Sequence, residues 1–434
     1  MRIVDLIQSK RDGGEFTKEE IEFFLKGYLR GEIPDYQASA LLMAVFFTWL
    51  TDSELVDWTQ STLSLAPPLD LSDLPGPKVD KQSTGGVGDK TSLIVGPLAA
   101  AAGITVPMIA GRGSAHTGGT LDKMQSIPGF NASLSAKEFK AVLRNAGLAV
   151  IGQLEELTPA DKKLSPLRDA TATVESVPLV IASILSRKFA EGIDGLVLDV
   201  KTGSGSLIKK MTDSRRLAQS LVNVAKRMDK KAICVISDMD QPLGNAIGNA
   251  LEVMEAVETM RGNGPADVVE LSLELAARIV CVAFPDRDLE GAKEEVFKLL
   301  SDGSALNKFR QMIEVQGGNP QVIDSFELLP TASAEFVIDS PRTGYVSRIS
   351  ADDIGLATMF LGAGREKLDS EIDFAVGIVL EHKVGDRVQA GERLCTIYYN
   401  EDTHLEEASQ MVEDAFHISA TQPEARPLIY EVLQ

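Results

Sequence analysis

The chain has 434 residues, 44% hydrophobic and 24% charged, which excludes a disordered protein and suits two to four domains at roughly 100–200 residues each. Its formal net charge of -20 argues against nucleic-acid partners and against binding to anionic membrane surfaces. Any anionic ligand must then be captured by local basic groups acting against the overall field.

Residues 1–66 read as helices. Thr17 and Glu20 form a capping-box pair ahead of a helical face made by Ile21, Phe24, Leu25, Tyr28 and Leu29. Gly31 and Pro34 close that helix. A second, largely apolar helix covers about 36–49. Thr51 and Glu54 cap a third, which stops at Pro67-Pro68. From about residue 78 the pattern turns to alternating strands and helices. "KVDKQ" is a short strand, "TSLIVGPLAAAA" a helix, "ITVPMIA" (104–110) a strand, and Ser135 with Glu138 caps the next helix. "GLVLDVK" (195–201) and "AICVISD" (232–238) are apolar, β-rich runs. Such alternation indicates a mostly parallel α/β sheet. Residues 159–192 interrupt it with "SVPLVIASILSRKFAEG", a helix with Pro178 near its first turn and Gly192 beyond its end. They are expected to return to the helical unit.

After about residue 335 the chain mixes short strands and tight turns. "VGDRVQAGERL" is similar to the hairpins of biotinyl- and lipoyl-carrier folds, but no modifiable lysine sits at a hairpin tip. The expected fold is therefore α/β: a small all-helical domain (1–66 with 159–192), a larger mixed, mostly parallel α/β domain (67–158 with 193–334) and a C-terminal α+β subdomain (335–434).

The cysteines Cys234, Cys281 and Cys395 show neither metal-ligand nor redox spacing, which suits a reducing cytoplasm. The N-terminus lacks the apolar stretch of a signal peptide, and no apolar run approaches the ~20 residues of a membrane span. The histidines (116, 382, 404 and 417) form no zinc pattern.

Two glycine-rich loops carry the chemistry. "KQSTGGVGDKTS" (81–92) follows a strand and opens a helix, where backbone N–H groups and the helix dipole favour an anion. It is not a nucleotide-binding P-loop, because Asp89 separates Gly88 from Lys90. "GRGSAHTGGT" (111–120) follows a second strand and adds Arg112, Ser114, His116, Thr117 and Thr120. If those strands are neighbours, Lys81, Ser83, Ser92 and Thr120 converge on one tetrahedral oxyanion.

These loops, with "RDATATVESVPLVIASILSRK" (168–188), resemble the thymidine/pyrimidine-nucleoside phosphorylase family over essentially the whole chain. The resemblance implies reversible phosphorolysis of a pyrimidine nucleoside to free base and pentose 1-phosphate, in a homodimer, with inorganic phosphate as co-substrate and no cofactor or metal required. It implies phosphate binding by Lys81, Ser83, Ser92 and Thr120 and base binding by Arg168, Ser183 and residue 187. Some members hold a monovalent cation such as K+; the matching positions are Gly88, Lys90, Leu243, Ala246 and Glu255, and whether Lys90 supplies the charge itself is left open.

Three positions depart from the family pattern. Gln82 replaces a histidine, Ala110 a serine and Arg187 a lysine. Gln82, Arg168 and Arg187 are the expected catalytic groups, but a glutamine cannot transfer a proton to a departing base. His116 either compensates for that or braces its loop. Open alternatives are a shifted base or sugar preference, a non-catalytic nucleoside- or phosphate-binding relative, and a phosphoribosyltransferase. The last would need an acidic metal site near the glycine loop, for which Asp89 and Asp122 are candidates.

Overall fold

A computed structural model describes residues 1–113, 116, 118–154, 156–365 and 371–434. The N-terminal helices are α1 (Ile3–Arg11), α2 (Lys18–Leu29), α3 (Asp35–Thr48) and α4 (Asp52–Leu63). Both expected capping boxes form here: Thr17 and Glu20 exchange side-chain-to-backbone hydrogen bonds across the first turn of α2, and Thr51 and Glu54 do so at α4. Each satisfies two N–H groups that a helix start leaves unpaired.

The chain then builds β1 (Val79–Ser83), α5 (Thr91–Ala101), β2 (Val106–Ile109), α6 (Thr120–Gln125), α7 (Ala136–Ala146) and β3 (Leu148–Ile151). Helices α8 (Pro159–Ala170) and α9 (Val177–Ala190) pack back on α2, α3 and α4. Phe24, Leu42, Trp58, Leu179 and Leu185 share one buried core there. The α/β part resumes with β4 (Gly195–Thr202), α10 (Met211–Arg227), β5 (Lys231–Asp238), β6 (Ala246–Ile247), α11 (Asn249–Met260), α12 (Ala266–Ala283), α13 (Leu289–Ser301) and α14 (Ser304–Val315).

Strands β1, β4 and β5 pair in parallel, as do β2 and β3. Backbone hydrogen bonds between Val79 and Thr105 and between Thr105 and Pro77 join the two sets. The spatial order is β3-β2-β1-β4-β5. The direction of winding reverses between β1 and β4, and in such sheets the crevice beyond the carboxyl ends at the reversal is where ligands bind. The glycine loop leaves β1 at that crevice. The loop after β4 faces it, bridged through Gly86 and Ser206.

The C-terminal part contains β7 (Ala334–Asp339), β8 (Gly344–Ile349), α15 (Ala351–Thr358), β9 (Gly377–Leu380), β10 (Arg387–Val388), β11 (Arg393–Tyr399), α16 (Leu405–Ala415), β12 (Phe416–Ser419) and β13 (Ile429–Leu433). Two antiparallel sheets form, β6-β9-β11-β7 and β10-β8-β12. One strand departs from the expected boundary. Residues 429–433, read with the C-terminal unit, pair antiparallel with β5 and close the edge of the α/β sheet. A period-two pattern marks a strand but does not say which open edge it will cover.

Candidate active site

The anion loop is built around Asp89. Its carboxylate accepts hydrogen bonds from the Ser83 hydroxyl at 2.5 Å and from the Thr91 hydroxyl at 2.5 Å. Lys81 Nζ donates to Thr91 Oγ1 at 2.7 Å and to Ser92 Oγ at 3.2 Å, and lies 3.9 Å from Asp89 Oδ2. Three of the four expected phosphate ligands, Lys81, Ser83 and Ser92, are thus drawn into one network at the end of β1 and the start of α5. Glycine is needed at 88, where φ is +72° and a Cβ would stand 2.5 Å from the Leu243 carbonyl oxygen. Thr120 opens α6 and makes no hydrogen bond to the other three. The helix is nonetheless tied to the loop one turn later, where Lys123 Nζ donates to the Asp89 carbonyl at 2.7 Å.

Beneath the loop lie buried charges, of which Lys123 and Lys201 carry no role in the sequence reading. Lys81, Lys90, Lys123 and Lys201 are among the largest fully buried side chains of the molecule. Isolated buried ammoniums would be very costly, so each has a carboxylate close by. Lys201 Nζ is 2.7 Å from Asp199 Oδ2, although not aligned for a hydrogen bond, and Lys123 Nζ is 2.7 Å from Glu252. Burial alone would raise the Asp89 carboxyl. Lys201, Lys81 and Lys123, with the Ser83 hydrogen bond, hold it well below the usual carboxylate range. Burial lowers the Lys81 ammonium, opposed by Asp89 and Asp199. A net-negative chain has placed four fully buried lysines around this one loop. For Lys201 the readable signal was a lysine ending the apolar string "GLVLDVK".

The other wall of the crevice is helical. Arg168, on α8, is buried and donates to the carbonyls of Val174, Thr173 and Leu179, which locks the turn between α8 and α9. Burial pushes its guanidinium down, with Asp161 opposing. On α9, Ser183 and Arg187 sit one turn apart, and Arg187 donates to Ser183 Oγ at 2.7 Å. Asp161 stands 3.3 Å from Arg187 Nε. Gln82, Ser83, Arg168, Ser183 and Arg187 all line one cavity of about 610 Å³ between β1, α8, α9 and the 207–210 loop. Lys81, Ser92 and Thr120 do not line it, so the anion network lies beside the cavity and meets it at Ser83.

A smaller neighbouring cavity of about 140 Å³ is lined by Gln82, Ala110 and Arg187 together, with Lys188 beside them. The three positions that break the family pattern, separated by up to about a quarter of the chain, are spatial neighbours. Gln82 Nε2 donates to the Ser83 carbonyl at 2.7 Å.

His116 is remote from these. It lines a different, small cavity with Val87, Gly118 and Gly355. Burial pushes its imidazole below the usual value. It packs against Gly355 of the C-terminal part, and the idea that it compensates for Gln82 is not supported by its position. Arg112 pairs with Asp122 at 2.8 Å, and Arg365 pairs with the same carboxylate. Both acidic candidates for a metal site, Asp89 and Asp122, are therefore engaged by the protein's own donors. Among the described residues no group of three or more His, Cys, Asp or Glu is placed to hold a metal ion. Ser114 and Thr117 lie outside the described residues.

The positions expected around a monovalent cation come together, but around an ammonium. Lys90 Nζ donates to the carbonyls of Leu243 at 2.9 Å and Ala246 at 3.0 Å and to the Glu255 carboxylate at 2.5 Å.

A helical bundle set against a parallel sheet, with an anion loop at the switch point, is the architecture of a glycosyl-transferring class. Residues 4–66 match the model described as "Glycosyl transferase family, helical bundle domain" and 75–306 the "Glycosyl transferase family, a/b domain". A solved anthranilate phosphoribosyltransferase (TrpD) from Thermus thermophilus shares the fold, with a TM-score of 0.60 over 72% of this chain and 99% of its own, at 16% identity. Residues 345–419 match the "Pyrimidine nucleoside phosphorylase C-terminal domain". The chain is 48% identical to the pyrimidine-nucleoside phosphorylase of Geobacillus stearothermophilus, over 99% of both chains, and 46% identical to that of Staphylococcus epidermidis over the full length of both. The chain belongs to the thymidine/pyrimidine-nucleoside phosphorylase family.

Proposed function

We infer that the protein catalyses reversible phosphorolysis of pyrimidine nucleosides, yielding free base and pentose 1-phosphate. One observation carries the reading for this chain: the cavity joins anion-loop residues of β1 to an arginine–serine–arginine set on α8 and α9. A phosphate oxygen attacks the anomeric carbon as the glycosidic C–N bond breaks, and the electron pair leaves with the base. Lys81, Ser83, Ser92 and Thr120 are proposed to hold phosphate. Arg168, Ser183 and Arg187 are proposed to receive the base and its developing negative charge, the interaction that lowers the barrier most when donors are preorganised. The assay is release of free base from uridine, thymidine, deoxyuridine and cytidine with phosphate present. Purine nucleosides serve as the control, and a parallel arm offers free base with 5-phosphoribosyl diphosphate and Mg²⁺. Base release in the first arm supports phosphorolysis; turnover only in the second would make the protein a phosphoribosyltransferase.

The departures at Gln82, Ala110 and Arg187 meet at one cavity, which favours a coupled shift in base or sugar preference over scattered drift. A cytoplasmic homodimer is part of the proposal. Exposed Tyr36 and Phe47 on α3 support a protein contact, and none of the described helices is long and apolar enough to cross a membrane. Light scattering on the purified chain tests the dimer.

A further inference from the structure

The positions expected around a cation are filled by a side chain. An ammonium has three N–H donors and no acceptor. Lys90 Nζ uses all three, on Leu243 O, Ala246 O and the Glu255 carboxylate. The side chain is fully buried, on a chain segment that crosses directly from the glycine loop to α5. Glu255 in turn accepts from the backbone N–H groups of Asn245 and Ala246, so the carboxylate, the two carbonyls and the ammonium form one closed set. A second cation has no room among these acceptors and would face the ammonium at contact distance, so the residues present do not fit a bound monovalent ion.

We propose that Lys90 is a built-in replacement for a monovalent cation, binding the glycine loop to the 243–246 loop and α11 so that the enzyme works without K+. The connection matters because of what those segments carry. Asp89, the centre of the anion network, is the residue before Lys90. Ala246 begins β6, which pairs with β9 of the C-terminal part. Lys383 also reaches this loop, donating to the carbonyls of Pro242 and Gly244 and to Asp267. Two lysines thus clamp residues 242–246, and Lys90 transmits that fixed position to the anion loop. It is a positioning residue, touching neither phosphate nor nucleoside.

The test compares the full-length wild type with Lys90→Thr, which removes the ammonium and offers a hydroxyl oxygen in its place. Both are assayed for melting temperature, phosphorolysis and rubidium binding by equilibrium dialysis. Buffers contain either tetramethylammonium or K+ at constant ionic strength. The rate readout rests on the phosphorolysis reading; melting and rubidium binding do not, so failure of that reading and failure of this one are distinguishable. The wild type is expected to bind no rubidium and to show the same melting temperature and rate in both buffers. Lys90→Thr is expected to melt lower and turn over at least about tenfold slower without K+, and to recover both properties with K+ while binding one rubidium. A K+-dependent wild type overturns the proposal. So does a Lys90→Thr protein that is fully stable and active in tetramethylammonium, or one that is impaired but indifferent to K+. Should Lys90→Thr fail to fold in both buffers, the wild type decides: bound rubidium or any K+ dependence refutes the proposal, and their absence upholds it.

Discussion

Restoring a proton donor at position 82 should change how the rate depends on pH. Gln82 lines both cavities and gives one amide hydrogen to the Ser83 carbonyl, but a carboxamide does not titrate. In Gln82→His the imidazole would stand in the same wall as Arg168 and Arg187. Neighbouring cations disfavour a second positive charge, so its pKa should fall from about 6.5 to about 6. An imidazolium acting as general acid is worth at least about 10²-fold. At pH 8 about 1% of the variant is protonated, so the ratio of variant to wild-type kcat/KM is about 2; at pH 5.5, about three-quarters is protonated and the ratio climbs to about 70. The ratio is the quantity to measure, because the ionisation of phosphate itself cancels from it. The assay is initial-rate base release at subsaturating nucleoside from pH 5.5 to 8. A ratio flat with pH would refute the reasoning. So would a wild-type profile carrying an imidazole limb that His116→Asn abolishes, because it would make His116 the donor despite its separate cavity.

Lys81→Met removes the ammonium bonded to Thr91 and Ser92; losing such a preorganised donor should cost about 10²–10³ in kcat/KM for phosphate, with the nucleoside KM little changed in steady-state kinetics. Arg168→Lys cannot reproduce three carbonyl contacts with a planar fork, so nucleoside kcat/KM should fall and phosphate KM should hold. Lys188 Nζ bonds buried Asp80 at 2.6 Å and Glu191 at 2.8 Å, joining α9 to β1. Lys188→Met leaves those carboxylates without their cation and should cost about 3–5 kcal/mol in urea unfolding, with much of it recovered on adding Asp80→Asn and Glu191→Gln. Asp89 has a folded-state pKa held below its unfolded value. Its contribution to stability is therefore present above the unfolded pKa and lost as pH falls through the folded one. Asp89→Asn should accordingly flatten the acid side of the melting-temperature profile, and an unchanged profile would count against the buried network.

Much of the architecture was readable because it is written locally. The boxes at Thr17–Glu20, Thr51–Glu54 and Ser135–Glu138 all form, since capping depends on residues three apart. Ser183 and Arg187 touch because four residues make about one helical turn. What was hidden depends on contacts distant in the chain. The family resemblance groups Lys90 with Leu243, Ala246 and Glu255, but only the folded contacts show its ammonium bonded to all three. Nothing in "LIYEVL" selects β5 over the C-terminal sheets. The resemblance puts Gln82, Ala110 and Arg187 in one site; that they share a single small cavity follows from placing α9 over the ends of β1 and β2. Lys201 was in plain view as a cation closing the apolar string "GLVLDVK", where Asp199 of the same strand supplies its carboxylate.

The fate of phosphate tests the central claim most directly. Purified protein incubated with uridine or thymidine and inorganic phosphate, followed by phosphorus NMR and chromatography of the base, should give pentose 1-phosphate and free base in equal amounts. There should be no base without phosphate, and the products mixed together should run back to nucleoside. Base released equally well without phosphate, or no base from any pyrimidine nucleoside at high enzyme concentration, would contradict it.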